Sequence, residues 1–157
     1  MVSQIKRYID ECNVNTISTE RRAVLQPLVD YLQRKRSDGE VIRLNFICTH
    51  NSRRSVFAQV WAQAMAYYYG ISNLESFSGG TESTALFYKV ADTLELVGFA
   101  VNNSGKSDNP KYEFVFSSDV DPIIGYSKRW DDVRNPKEGF AAVMTCSHAE
   151  ENCPFIP

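Results

Sequence analysis

The chain lacks any apolar run of about 18 residues, the length a bilayer-spanning helix requires. Its first residues, Met1-Val2-Ser3-Gln4-Ile5-Lys6-Arg7, are polar where a secretory leader would carry an apolar stretch. No membrane partner is expected, and the protein reads as cytoplasmic. An excess of positive charge is also missing. The formal net charge is -2 and the sequence pI ≈ 5.7, which argues against non-specific nucleic-acid binding. Arg34-Lys35-Arg36, the one basic cluster, reads as a solvated helix end. Internal repeats and low-complexity segments are absent, so solenoid, fibrous and disordered classes drop out. Cysteine is sparse, with 4 in the chain, and a reducing compartment makes these chemical or buried rather than structural disulfides. The cluster Cys146, His148 and Cys153 offers only three ligands and no Cys-x-x-Cys unit, so neither a metal nor a bound cofactor is expected.

What is present is ordinary globular material. With 157 residues, 43% hydrophobic and 23% charged, the chain fits one domain able to bury a core without staples. Residues 1–38 read as helical, with stripes at Ile5, Tyr8 and Ile9 and then at Val24, Leu25, Leu28, Val29 and Leu32 after the cap candidate Ser18; Pro27 is expected to kink the second helix. The continuously apolar stretch 41–47 suits a buried parallel strand. A helix over about 55–69, a short strand over 74–78, a turn at Gly79-Gly80 and a helix over about 83–97 follow. Two βα units in succession imply an α/β fold with a parallel sheet. Residues 102–110 are loop chemistry, 112–116 a strand and 119–122 a turn, together a hairpin-like insertion. A further buried strand covers 140–145.

The run Cys48-Thr49-His50-Asn51-Ser52-Arg53-Arg54-Ser55 sits between the first strand and the helix after it, with five residues separating the cysteine from Arg54. A strand-to-helix turn aims unpaired backbone N–H groups at one point, and the helix dipole adds positive charge there, so a tetrahedral oxyanion can be held. The same donors stabilise a thiolate at Cys48. Arg54 can curl back to the rim and grip two oxygens in the planar fork that lysine lacks. Ser55 can donate to the Cys48 sulfur, and the Asn51 amide can hold the loop in shape. Thr49, His50, Ser52 and Arg53 complete the candidate oxyanion loop, although His50 and Arg53 also fit solvent-facing positions. For Cys48 the bland alternative is a small hydrophobe ending a strand.

A second run, Cys146-Ser147-His148-Ala149-Glu150-Glu151-Asn152-Cys153, supplies two more thiols after the 140–145 strand. Taken alone, these could be one core residue and one surface thiol. Cys12 has no matching partner and reads as packing.

The cysteine loop, the helix after it and the order of elements resemble the low-molecular-weight protein tyrosine phosphatases, a Rossmann-like fold. More narrowly, residues 143–154 resemble the redox segment of the thioredoxin-coupled arsenate reductases that share it, as does Phe77-Ser78-Gly79-Gly80-Thr81-Glu82 their second strand. The resemblance covers residues 41–157 and leaves 1–40 as an N-terminal helical extension. It implies arsenate reduction, with Cys48 attacking arsenic and Cys146 then attacking the Cys48 sulfur as arsenite leaves. Cys153 finally displaces Cys48 to give a Cys146–Cys153 disulfide for thioredoxin. Seven helical residues rise about 10.5 Å, more than the roughly 7 Å between Cα atoms that a disulfide spans. A helix over 147–153 would therefore have to unwind.

Proteins of that family carry an Asp-Pro pair after the redox region, then a closing strand and helix, and the 41–157 unit is expected to lack these as a truncated form of a longer protein. Asp121-Pro122 is the one Asp-Pro pair, placed in the hairpin turn; Asp131 and Asp132 read as loop carboxylates. The rival reading is a phosphatase acting on phosphotyrosine through a phosphocysteine. A second rival is a non-turnover sensor that binds phosphate or arsenate and reports through its disulfide.

Overall fold

A computed structural model describes residues 1–103, 105 and 107–152. Two helices lead the chain: α1, Ser3–Asp10, and the longer α2, Thr19–Ser37, with a single 3-10 turn between them. The Ser18 side chain accepts the Arg21 N–H and caps α2, and the helix runs through Pro27 without ending. The basic last turn Arg34, Lys35, Arg36 faces the negative end of the α2 dipole. Cys12, expected in packing, is instead exposed, because it lies past the end of α1 and only its neighbours Ile5 and Ile9 turn inward.

The centre is a parallel sheet of three strands in the order β2-β1-β3, where β1 is Ile42–Cys48, β2 is Leu74–Gly80 and β3 is Ala141–Met144. The molecule is thus α/β with a parallel sheet flanked by helices. Registers place Cys48 beside Gly80 and Ile47 beside Met144, so the cysteine loop and the second cysteine segment leave the sheet at the same end. Helix α3, Arg54–Tyr68, returns from β1 to β2, and its apolar positions divide between two cores. Val56, Val60 and Ala64 join Ile5 and Ile9 of α1 and Val90 and Leu94 of α4, Lys89–Leu96. Ala58, Ala62 and Ala66 pack with Ile42, Leu44 and Phe46 of β1 and with Leu28, Tyr31 and Leu32 of α2.

In place of a simple hairpin, the insertion is a second, antiparallel sheet of three strands: β4 (Ala100–Asn103), β5 (Tyr112–Val115) and β6 (Ile123–Gly125). Strand β4 is an exposed edge built by backbone pairing of Val101 with Phe114, and its Asn102-Asn103 pair carries no apolar alternation. Helix α4 begins later than its apolar stripe suggests. Ser52 and Ser127 bind the backbone of the preceding segment, with Ser52 Oγ donating to Ala85 O at 2.6 Å and Thr84 N donating to Ser127 Oγ at 2.8 Å. Gly79-Gly80, expected as a turn, extends β2 to its last residue, because the two glycines are needed for close approach. A Cβ on Gly80 would stand 2.6 Å from Thr49 O and 2.8 Å from Asn51 N; one on Gly79 would stand 2.7 Å from Trp130 N. Finally, α5, Ser147–Asn152, follows β3 after Cys146.

Candidate active site

Cys48 is the last residue of β1 and is buried. The chain then turns through Thr49–Arg53 into α3, and the turn surrounds an open hollow of about 50 Å³ lined by Cys48, Thr49, His50, Ser52, Arg53 and Arg54. Since a water occupies about 30 Å³ of the liquid, the space is of the size of a small ion. Arg54 starts α3 with its side chain on the rim, and among the described residues no carboxylate pairs with it. Arg53 also lines the cavity, with its guanidinium stacked 4.3 Å over the Phe87 ring. His50 lies outward, with Nδ1 3.4 Å from Glu82 Oε2.

Asn51 and Ser55 lie beneath the cavity instead of on its wall, both fully buried. Asn51 takes φ 47°, a left-handed conformation that asparagine tolerates better than most residues. Its orientation is decided by its neighbours. Lys128 N, which can only donate, reaches Asn51 Oδ1 at 3.0 Å, so Asn51 Nδ2 must face Ser55 Oγ, 2.8 Å away. An amide N–H also only donates. The Ser55 hydroxyl proton is therefore free for the Cys48 sulfur, 3.0 Å off, and a chain of donors runs from Lys128 through Asn51 and Ser55 to the thiol.

Cys146 arrives at the mouth of this loop from the adjacent strand. Thr145 N donates to Ile47 O at 2.7 Å and the Thr145 hydroxyl to the same oxygen at 2.9 Å, which ties the chain just ahead of Cys146 to the end of β1. Cys146 Sγ then lies 3.6 Å from Thr49 Oγ1, and His148 Nδ1 lies 3.2 Å from the same hydroxyl. Burial pushes the Cys146 thiol up. Hydrogen bonds from the Thr49 hydroxyl and from the Ala149 and Thr49 amides, with the Arg54 charge, outweigh it and hold the thiol below its ordinary range. With the proton on its Nδ1, His148 donates to Thr49 as Thr49 donates to Cys146. Each described thiol at this end of the sheet thus has a hydroxyl beside it.

No family model, curated protein or solved structure matches this chain. The chemistry rests on the site's own atoms.

Among the residues expected to take part, Cys48, Thr49, His50, Ser52, Arg53 and Arg54 share the cavity, and Asn51 and Ser55 support it from below. Cys153 lies outside the described residues. Asp121 lines a different cavity, between the two sheets. Asp131 is paired with Arg129 at 3.0 Å, and Asp132 accepts from Tyr126 and Arg134 N. Sequence reasoning missed the segment Ser127–Trp130, which closes the loop from behind. Ser127 Oγ donates to His50 O at 2.6 Å, Gly80 N donates to Lys128 O at 2.9 Å, and Asn135 Nδ2 reaches both Ser78 O and Trp130 O at 3.0 Å. Only the paired glycines, which demand a close neighbour, signalled it.

Proposed function

We propose that this protein reduces arsenate to arsenite with its own thiols, on a domain of the low-molecular-weight tyrosine phosphatase type. The observation that carries the reading is the second thiol, Cys146, standing beside Thr49 at the mouth of a loop that encloses Cys48 and Arg54. In the proposed sequence, Cys48 as thiolate attacks arsenic and one arsenate oxygen leaves as water. Arg54 and the loop amides hold the remaining oxygens. Cys146, as thiolate, attacks the Cys48 sulfur; the S–As bond breaks, its electron pair stays on arsenic, and arsenite departs. Two thiols have then lost two electrons and arsenic has gained them. Cys153 attacks Cys146, releases Cys48 and leaves a disulfide for thioredoxin, in a cytoplasm where such a reductant is at hand. Hydrolysis of phosphotyrosine needs Cys48 and Arg54 but not a held thiol at the rim. It also needs an acid for the phenolate, and among the described residues no carboxylate lines the cavity.

A single-turnover experiment tests the order of events. Reduced protein mixed with one equivalent of arsenate and no reductant should yield one equivalent of arsenite and a Cys146–Cys153 disulfide by peptide mapping, and the Cys153→Ser protein should stop at Cys48–Cys146. Arsenite formed with all thiols still reduced, or no arsenite at all, would remove the proposal.

A further inference from the structure

A second cavity, of about 800 Å³, opens between β2, α3 and the antiparallel sheet, away from the cysteine loop. Its volume falls within the range of small-molecule sites. The body of the cavity is apolar, with Ile71, Leu74, Phe77, Phe116 and Ile123 among its walls. Along one side Gln59 and Gln63 of α3 satisfy the outer edge of β2: Gln63 Nε2 donates to Leu74 O at 3.1 Å and Gln59 Nε2 to Ser76 O at 3.2 Å. That edge is therefore closed to strand pairing, and the cavity is built for something other than an added strand.

At one corner sits Lys128, only 5% exposed. Its ammonium lies 4.8 Å over the Tyr126 ring, and among the described residues no carboxylate pairs with it. Arg134 and Lys111 approach the same ring at 5.6 and 5.3 Å, so three cations converge on one tyrosine. The available acids are engaged or exposed. Asp132 accepts from Tyr126 and from Arg134 N, Glu75 pairs with Arg43 at 2.9 Å, and Asp121 is at the surface. Burial, opposed by the nearby Asp132 charge and reinforced by Arg134, brings the Lys128 amine down to about 8, so a buried cation stands there at neutral pH with no carboxylate in ion-pair contact among the described residues. A buried amine at the corner of an apolar cavity matches a ligand that is apolar with an anionic head.

We infer that this cavity binds a small organic carboxylate, its hydrocarbon body against Phe77, Phe116 and Ile123 and its carboxylate on Lys128. The inference is independent of the oxyanion loop and of the reaction assigned to it. 2-Naphthoate and its neutral counterpart 2-naphthamide, titrated into ¹⁵N-labelled protein, test it. The expected result is saturable one-to-one binding of the naphthoate, at least tenfold tighter than the amide, with shifts at Phe77, Tyr126 and Asn135 and none across Thr49–Arg54. Lys128→Met should bring the two ligands to equal affinity. Absence of saturable naphthoate binding, equal affinities in the wild-type protein, or shifts centred on the cysteine loop would overturn the assignment. The amide comparison is made on the wild type and does not depend on how the variant folds.

Discussion

At the scale of single residues, the site's chemistry is a matter of where two hydroxyl protons point. The Ser55 proton is directed to Cys48 because Asn51 occupies its oxygen, and Asn51 is oriented by a main-chain N–H that cannot accept. Hydrogen bonds to charged groups contribute about 1.5–3 kcal/mol, so Ser55→Ala is expected to slow arsenate turnover by roughly 10- to 100-fold while leaving the fold intact. Steady-state kinetics beside a thermal melt separates the two effects. Thr49 has the matching role for Cys146, whose thiol it helps to hold below the ordinary range. A depressed thiol is ionised, and reacts, at a lower pH than an ordinary one. In a Cys12→Ser, Cys48→Ser background, the pH midpoint for alkylation of Cys146 by iodoacetamide should therefore move upward in Thr49→Val. An unchanged midpoint, followed by peptide mass spectrometry, would detach Thr49 from that thiol.

At the scale of elements, the loop is a strand-to-helix turn clamped by the end of β2 and by residues 127–130. Gly80 has no room for a methyl group between Thr49 O and Asn51 N. Overpacking of this kind costs about 1–3 kcal/mol, so Gly80→Ala should lower the melting temperature and abolish turnover. Recovery of full activity in that variant would show that the loop adapts. Much of this level was legible in the sequence. An apolar run ending in cysteine, an arginine six positions on and an amphipathic stretch behind it fix β1, the loop and α3, because burial and helical periodicity agree there. Strand β4 was not legible, since Asn102 and Asn103 join it by backbone pairing alone. Nor was the late start of α4, where Ser52 and Ser127 outcompete the helix for its first backbone groups. Side-chain clamps between segments 30 to 80 residues apart leave no local pattern, and for the same reason the support that Ser127, Lys128 and Asn135 give the loop could not be read.

At the scale of the whole molecule, Lys128 stands between the two cavities, its main chain holding Asn51 under the cysteine loop and its amine buried in the larger cavity. Burying that amine carries a pH signature. Its value is about 8 in the folded protein against 10.5 ordinarily. Across that interval the unfolded chain binds more protons, so stability rises with pH. Below about 8 the folded state bears the full cost, ~3 kcal/mol. Lys128→Met should remove this dependence and stabilise the protein most at neutral pH. Urea unfolding between pH 7 and 10 measures it, and parallel curves for variant and wild type would contradict a buried charge. Cys48 and Cys146 lie at one end of the parallel sheet, and the proposed reaction depends on that placement to join oxyanion binding to thiol chemistry. Its most direct test is arsenate-dependent NADPH oxidation coupled through thioredoxin and thioredoxin reductase, run beside p-nitrophenyl phosphate hydrolysis on wild type, Cys48→Ser and Cys146→Ser. The account predicts NADPH consumption that either substitution abolishes; phosphate-ester hydrolysis that survives loss of Cys146, with no arsenate-dependent NADPH use, would contradict it.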